Sequence, residues 1–520
     1  MRLTETDILV IATSLVATTL YLAYARIFRD VEDSDHLPPG PKPIPVLNNL
    51  HQLPLDRQEE TFAKWARKYG DIVYAKFGST PTLIVNSLES AQDLMITRSR
   101  KYSDRPRFVF LYEMMQWGSM FVQMSSSERL RKYQTWMRAA FQDKGALSQY
   151  WSLQQREIYT LLSGLFEAPD DYKEHFKRYT GAILMEITYG HRVTSLDDHY
   201  VSVAERTLDG VVSYGPPGTT VLDFLPHLKY LPAWFPGATF KRHANCVQKL
   251  VRQTIDAPFK MVQDGMTSGN ASHSLAASLL EEIMSDGPIT KEDETDVREL
   301  SGILYGAGTE TTASTLAVFL LAMVLNPDVY AKAQAEMDRV IGSKRLPDFD
   351  DRKSLPYLEC VLKETHRWRT VVPLGIPHKT LVHDEYRGFD IPAGTVIIPN
   401  IWAISQDTQM YPEPISFRPE RYWGTDQTTS AVDPRMFAFG FGRRICPGRH
   451  IADANIWLAM ANMIATLSIS RARDRTGVEI TPPSSFTSGF TSRPIDFPCT
   501  IKPRSESVVR LVSLMSSSLT

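Results

Sequence analysis

Residues Phe439 to His450 read FGFGRRICPGRH, a glycine- and arginine-rich turn around one of four cysteines in a chain of 520 residues. Gly440, Gly442 and Gly448 supply the permissive backbone that a sharp loop needs, and Pro447 is placed to open a helix directly after Cys446. The thiol then faces the unpaired N–H groups of a helix start, with Arg443 and Arg444 close in sequence. Both features favour the thiolate, the form that binds a metal. A one-cysteine loop without partner ligands cannot enclose zinc, which takes four, but it can supply the single axial ligand of a haem, whose porphyrin provides the other four. The plain alternative is a structural free cysteine in a glycine turn.

The pattern Phe439-x-x-Gly442-x-Arg444-x-Cys446-x-Gly448 resembles the cysteine-ligand loop of the haem-thiolate monooxygenases, the cytochrome P-450 superfamily. The resemblance implies haem b (iron protoporphyrin IX) with Cys446 as axial ligand and Phe439 shielding the sulfur. It also implies that Gly442 lets the backbone approach the sulfur and that Arg444 pairs with a haem propionate through a two-pronged guanidinium contact.

A second constellation, Ala307-Gly308-Thr309-Glu310-Thr311-Thr312, lies inside a long apolar helical run from about Val297 to Leu325. Glycine and repeated threonines weaken a helix, and each threonine can hydrogen-bond the preceding turn and bend it, which opens a groove. Read alone, such a patch is also a packing device. Beside the cysteine loop it resembles the oxygen-activating helix of the same family, which implies that Thr311 holds oxygen at the iron and that Glu310 passes solvent protons toward it.

The third is Glu364-Thr365-His366-Arg367 on a helix expected over Pro356 to Arg369, followed later by Phe417-Arg418-Pro419-Glu420-Arg421. Glutamate and arginine at i and i+3 share a helix face and are usually a surface ion pair. By the resemblance, Glu364, Arg367 and Arg421 form a buried structural triad behind the haem. One departure stands out. The family often has a tryptophan and an arginine five positions apart on an early helix, and alignment on Phe141 puts Leu130 and Gln134 there. Arg131, Arg138 or His378 could replace that arginine at a propionate.

Other features place these sites in a larger body. Ile8 to Ala25 is eighteen residues without a charge, about the minimum for a membrane-spanning helix, and Arg26 and Arg29 follow it. The expectation is a single-pass anchor over residues 1–29 in the endoplasmic reticulum membrane with the bulk in the cytosol; a cleaved signal peptide is the alternative. Residues 30–54 read as an acidic, then proline-rich hinge around Leu37-Pro38-Pro39-Gly40-Pro41, and residues 55–520 as the catalytic domain. Helical periodicity dominates from residue 57 to about 345, with strands near Ile72–Phe77 and Thr82–Val85. Short strands are expected in Lys379–Ile398, a helix from Pro447 to about Leu467, and strand-like pieces after it around Gly489 and Pro494. The expected fold is mainly α with small β-sheets.

A net charge of −2 gives no basic field for nucleic acid, and the widely spaced Cys246, Cys360, Cys446 and Cys499 make neither a disulfide framework nor a zinc site. The apolar segments Phe108–Phe121, Val371–Ile376 and Thr487–Phe490 suit a hydrophobic small-molecule substrate, though each could be core. Leu231–Ala238, with Lys229 and Lys241 nearby, could dip into membrane lipid. No dinucleotide or flavin fingerprint appears, so electrons must come from a separate NADPH-cytochrome reductase. Stretches such as LPYLECVLKETHRW and YPEPISFRPERYW are most similar to fungal microsomal members. The resulting expectation is a monooxygenase that uses O2 on a lipophilic compound in secondary metabolism, terpenoid first, polyketide or indole next. A haem-thiolate isomerase, dehydratase or peroxygenase, or a non-catalytic haem protein, is the alternative.

Overall fold

The computed structural model describes residue 18 and residues 36–117, 121–125, 127–142, 144–213, 220–424 and 431–517. The expected anchor Ile8–Ala25, Thr18 apart, and the acidic part of the hinge lie outside them.

The longer helices, amphipathic apart from α8 and α11, are α1 (Gln58–Tyr69), α2 (Glu128–Phe141), α3 (Trp151–Glu167), α4 (Tyr172–Tyr189), α5 (His199–Val212), α6 (Thr239–Thr267), α7 (Leu275–Asp286), α8 (Lys291–Leu325), α9 (Pro327–Val340), α10 (Pro356–Trp368), α11 (Arg449–Thr466) and α12 (Glu506–Ser517). Helix α8 organises the rest. Thr290 and Asp293 cap it reciprocally, and Glu292, Asp293 and Glu294 set negative charge against the positive end of its dipole. Its second half is apolar on every face, so it is stable only inside the protein. From Leu316 to Met323 no residue exceeds 9% exposure. It packs against α4, α6, α10 and α11. Among the described residues it is also the one helix long and apolar enough to cross a membrane, but 83% of its apolar window is buried, which makes it the core helix.

The sheets are small. Strands β1 (Ile72–Phe77), β2 (Thr80–Val85), β3 (His378–Lys379) and β6 (Val396–Pro399) form one sheet in the order β1-β2-β6-β3, with β4 (Asp384–Tyr386) and β5 (Phe389–Ile391) as a separate hairpin. β1 runs antiparallel to β2 with Ile72 opposite Val85, β2 runs parallel to β6, and β3 runs antiparallel to β6 with His378 opposite Ile397. A last antiparallel pair, β7 (Leu467–Arg471) and β8 (Cys499–Pro503), closes the chain's end.

The mainly helical architecture and the early strands agree with the sequence expectation. Two local expectations are corrected. The helix after the cysteine begins at Arg449, with Gly448 as its N-cap, because the backbone makes a further turn through Pro447 and Gly448. Around Gly489 and Pro494, where strand-like pieces are expected, the chain forms a single bridge, Phe486 with Pro494, followed by β8 and then α12. Val508 and Val512 of α12 are buried one turn apart, and Leu511 and Met515 pack beside them, so tertiary burial overrides the β preference of the valines.

Candidate active site

The cysteine loop is held by its own backbone. Cys446 N–H donates to the Phe439 carbonyl at 2.8 Å, and Ile445 N–H to Gly442 at 3.2 Å. Gly442 has φ of 54°, and a Cβ there would lie 2.0 Å from the Met95 carbonyl oxygen. The approach of the Met95–Ile96 backbone therefore requires a glycine here. Burial pushes the Cys446 thiol up, while the Gly448 N–H and the charge of Arg449 act to hold negative charge on the sulfur. The two arginines expected to do so point elsewhere: Arg443 is exposed, and Arg444 donates to the Ser103 carbonyl at 2.8 Å and to that of Met124. The Phe439 ring stands edge-on to His366 of α10, 5.4 Å between centroids.

Glu364, Arg367 and Arg421 come together behind this loop. Arg367, with no exposed surface, forks onto Glu364 with Nε and Nη2 at 2.8 Å each. The same guanidinium donates to the carbonyls of Ser405, Pro414 and Ser416 at 3.0, 2.8 and 3.2 Å. Arg421 Nε lies 3.1 Å from the same carboxylate, and the Arg418 N–H reaches it at 2.8 Å. The i,i+3 pair that is usually a surface feature is here the buried joint between α10 and the segment preceding the cysteine loop.

Two further basic residues, Arg105 and His378, converge on Arg444. Arg105, buried, donates to the carbonyls of Val122, Ile376 and Pro377 at 3.2, 2.6 and 2.7 Å. His378 Nδ1 lies 2.7 Å from the Tyr102 carbonyl. Among the described residues neither Arg105 nor Arg444 makes a salt bridge with a carboxylate. Burial, reinforced by repulsion from Arg444, pushes Arg105 down to about 9. Burial also takes Arg444 to about 10. His378 is driven well below the ordinary imidazole range by burial and then by the charge of Arg105. Two buried guanidiniums beside a cysteine loop, opposed by Asp104 that is itself paired with Lys379 at 2.9 Å, fit the two carboxylates of a haem. Arg105 is the residue that sequence reasoning missed. Of the substitutes named for the missing arginine, Arg131 and Arg138 lie exposed on α2, and His378 sits in the cluster. Gln134 itself donates to the Arg443 carbonyl at 3.1 Å, which ties α2 to the cysteine loop.

On α8 the buried pattern breaks at Leu304, Ala307, Gly308 and Thr311, which are partly or fully exposed and share one helix face. The Thr311 hydroxyl donates back to the Ala307 carbonyl at 3.0 Å. Glu310 is buried on the next face round and its carboxylate is taken up by Ser314, Thr491 and Arg493, each at 3.3 Å. It therefore does not stand along the strip with Thr311. Trp117, of the apolar segment Phe108–Phe121, lies flush on the helix one turn earlier: a Cβ on Gly306 would meet its ring at 2.2 Å. Residues 118–120 of that segment lie outside the described residues.

Residues 38–496 match the family model described as cytochrome P450. Cytochrome P450 monooxygenase 176 of Postia placenta is 45% identical over 98% of this chain and 98% of its own length. Cytochrome P450 monooxygenase COX2 of Coprinopsis cinerea is 39% identical over 91% of this chain and 90% of its own length. Cytochrome P450 monooxygenase claR of Ampulloclitocybe clavipes is 38% identical over 96% and 91%.

Proposed function

The chain belongs to the cytochrome P450 family and is a haem-thiolate monooxygenase, and on that premise we propose that it is a membrane-anchored enzyme of secondary metabolism that oxidises a lipophilic small molecule, a terpenoid before a polyketide or indole. The observation that carries the reading is the strip Leu304, Ala307, Gly308 and Thr311, the partly open face of the buried stretch of α8, bordered by Leu184 at Gly308. An apolar wall with one hydroxyl suits an apolar substrate and a single proton-handling group.

Haem, when bound, supplies the centre at which O2 is reduced and the oxidant generated. Cys446 Sγ would be its axial ligand, and Arg105, Arg444 and His378 would meet its carboxylates. The Gly448 N–H and Arg449 hold charge on the sulfur. The Thr311 hydroxyl, parked on the Ala307 carbonyl, is free to turn into the strip and hold or give a proton at Oγ1. Glu310 serves as the proton source only after leaving Arg493, with which it forms an ion pair. Glu364, Arg367 and Arg421 keep the cysteine loop in place.

The anchor and the endoplasmic reticulum location rest on Ile8–Ala25. They are supported by exposed apolar residues on two segments that both meet the β1–β2 turn: Ile44, Val46 and Leu47 of the hinge, and Val221 to Phe235, where Trp234 is 78% exposed. Such a surface suits lipid and admits a substrate from it. Electrons come from a separate NADPH-cytochrome reductase. Membranes holding this chain and a reductase, given NADPH and labelled O2 with a panel of terpenoids, polyketides and indoles, should give a product carrying one labelled oxygen. Thr311→Ala should then divert NADPH into peroxide. Product formed without NADPH and reductase, or unchanged coupling in Thr311→Ala, contradicts the reading.

A further inference from the structure

A second ionic cluster sits behind the cysteine loop, apart from Glu364, Arg367 and Arg421, and it joins the two ends of that loop. Arg435, in the short turn that leads into the loop, places Nη1 2.8 Å from Glu359 of α10 and 3.6 Å from Asp453 of α11. Arg352 closes the ring, 2.6 Å from Asp453 and 3.0 Å from Glu359. Asp453 stands one helical turn beyond the start of the helix that leaves the loop, so entry and exit are fastened to each other and to α10. Burial would raise the Asp453 carboxyl, but His366, Arg352 and Arg435 together hold it far below the usual range.

His366 is the member of this cluster that reaches inward. It is 7% exposed, and its ring meets that of Phe439 edge-on at 5.4 Å. Its Nε2 is buried without a hydrogen-bond partner, and so is Asp453 Oδ1; the two atoms face each other 3.8 Å apart. Two buried polar atoms each lacking a partner are costly, and a movement of about 1 Å makes them a hydrogen bond. A leucine would fill this space as well as an imidazole does. What the histidine adds is a donor aimed at an acid whose position is already fixed by two guanidiniums. Beyond it, the Phe439 carbonyl holds the Cys446 N–H at 2.8 Å.

We propose that His366 is a positioning residue for the thiolate: bonded to Asp453, it fixes Phe439, and through the Phe439 carbonyl it fixes the pose of Cys446. The proposal rests on the haem-thiolate reading of the site. The ring of Arg352, Glu359, Arg435 and Asp453 is its support, so that strain on either end of the loop reaches His366 and Phe439 together.

The test uses the full-length, haem-loaded chain and the variants His366→Leu, His366→Gln and Asp453→Asn. The readouts are haem content, the lifetime of the red-shifted reduced-CO band and the haem midpoint potential. Partners that orient a metal ligand are typically worth tenfold or more, so His366→Leu should keep its haem but lose the red-shifted band about tenfold faster, with the potential moved to a more positive value. Asp453→Asn should weaken the band in the same direction. His366→Gln, whose amide can donate to Asp453, should recover most of the lifetime. Wild-type band lifetime and potential in His366→Leu overturn the proposal. Loss of haem, fold and band in parallel in both His366→Leu and Asp453→Asn, with no rescue by His366→Gln, assigns the pair to folding alone and also overturns it. A wild-type chain that takes up haem but gives no red-shifted band contradicts the haem-thiolate reading itself, which is a separate result.

Discussion

Replacing Arg367 by methionine removes a guanidinium that has no exposed surface and serves five acceptor contacts: two on Glu364 and one each on the carbonyls of Ser405, Pro414 and Ser416. Glu364 is then left with Arg421 Nε at 3.1 Å and the Arg418 N–H at 2.8 Å, the carbonyls of Ser405 and Pro414 lose the Arg367 donor, and that of Ser416 keeps Arg421 Nη2 at 3.4 Å. Removing one partner of a buried pair costs about 3–5 kcal/mol, because the other charge stays buried. Each unserved buried acceptor adds about 1 kcal/mol, part of which overlaps with the pair. A total near 5 kcal/mol is a large part of the roughly 5–15 kcal/mol that separates folded from unfolded protein. Unfolding entropy of roughly 2.1 cal/mol/K per residue comes to about 1 kcal/mol/K for a body of this size, so the melting point should fall by about 5 °C. Arg367→Lys keeps the charge but loses the fork and should fall about half as far. Thermal melting of the haem-loaded chain by circular dichroism measures both, with the reduced-CO spectrum reporting the loop. A methionine variant that melts within about 1 °C of wild type and keeps its band refutes the brace.

The remaining expectations address the loop and the outer network. Gly442→Ala should prevent haem uptake, since its Cβ would stand 2.0 Å from the Met95 carbonyl oxygen, whereas Gly448→Ala, whose nearest neighbour is 3.9 Å away, should be tolerated; equal haem content in the two variants would refute the packing account. Asp384 accepts from Arg98 and Tyr102 at 2.9 Å each and pairs with Lys101. Burial raises its carboxyl, but these donors bring it to about 2. A folded value below the unfolded one, about 3.9, means a stabilisation present above pH ~4 and lost as pH falls toward 2. Asp384→Asn should therefore be less stable than wild type at neutral pH, and the gap should close in acid denaturation series over that window; a gap independent of pH sinks the assignment.

What the sequence made legible is what lies within one short segment. The cysteine turn announced itself because its glycines, arginine and cysteine are contiguous, and Glu364 and Arg367 are neighbours on one helix face. Arg421 could be joined to them only through the family resemblance, since nothing local to it tells a buried arginine from a surface one. Arg105 was silent because its meaning comes from convergence: its donors meet carbonyls at Val122, Ile376 and Pro377, and its charge meets that of Arg444. The direction of Glu310 is set by Arg493, 183 residues further on, which no helical pattern around Glu310 encodes. The choice of Arg449 over Arg443 and Arg444 as the cation near the sulfur depends on an extra turn of backbone at Pro447 and Gly448. Helix α12 carries three valines and four serines, and its stripe of Val508, Leu511, Val512 and Met515 is rewarded only by packing.

The account stands most directly on the identity of one atom, the Cys446 sulfur. The other cysteines of the chain are Cys246, exposed, Cys360, buried, and Cys499, half-buried. The decisive measurement is the reduced-CO difference spectrum of the full-length chain beside Cys446→Ser, with Cys360→Ser and Cys499→Ser as controls. The account predicts a red-shifted thiolate band in the wild type and both controls and its complete absence in Cys446→Ser; a Cys446→Ser protein that retains that band would contradict it.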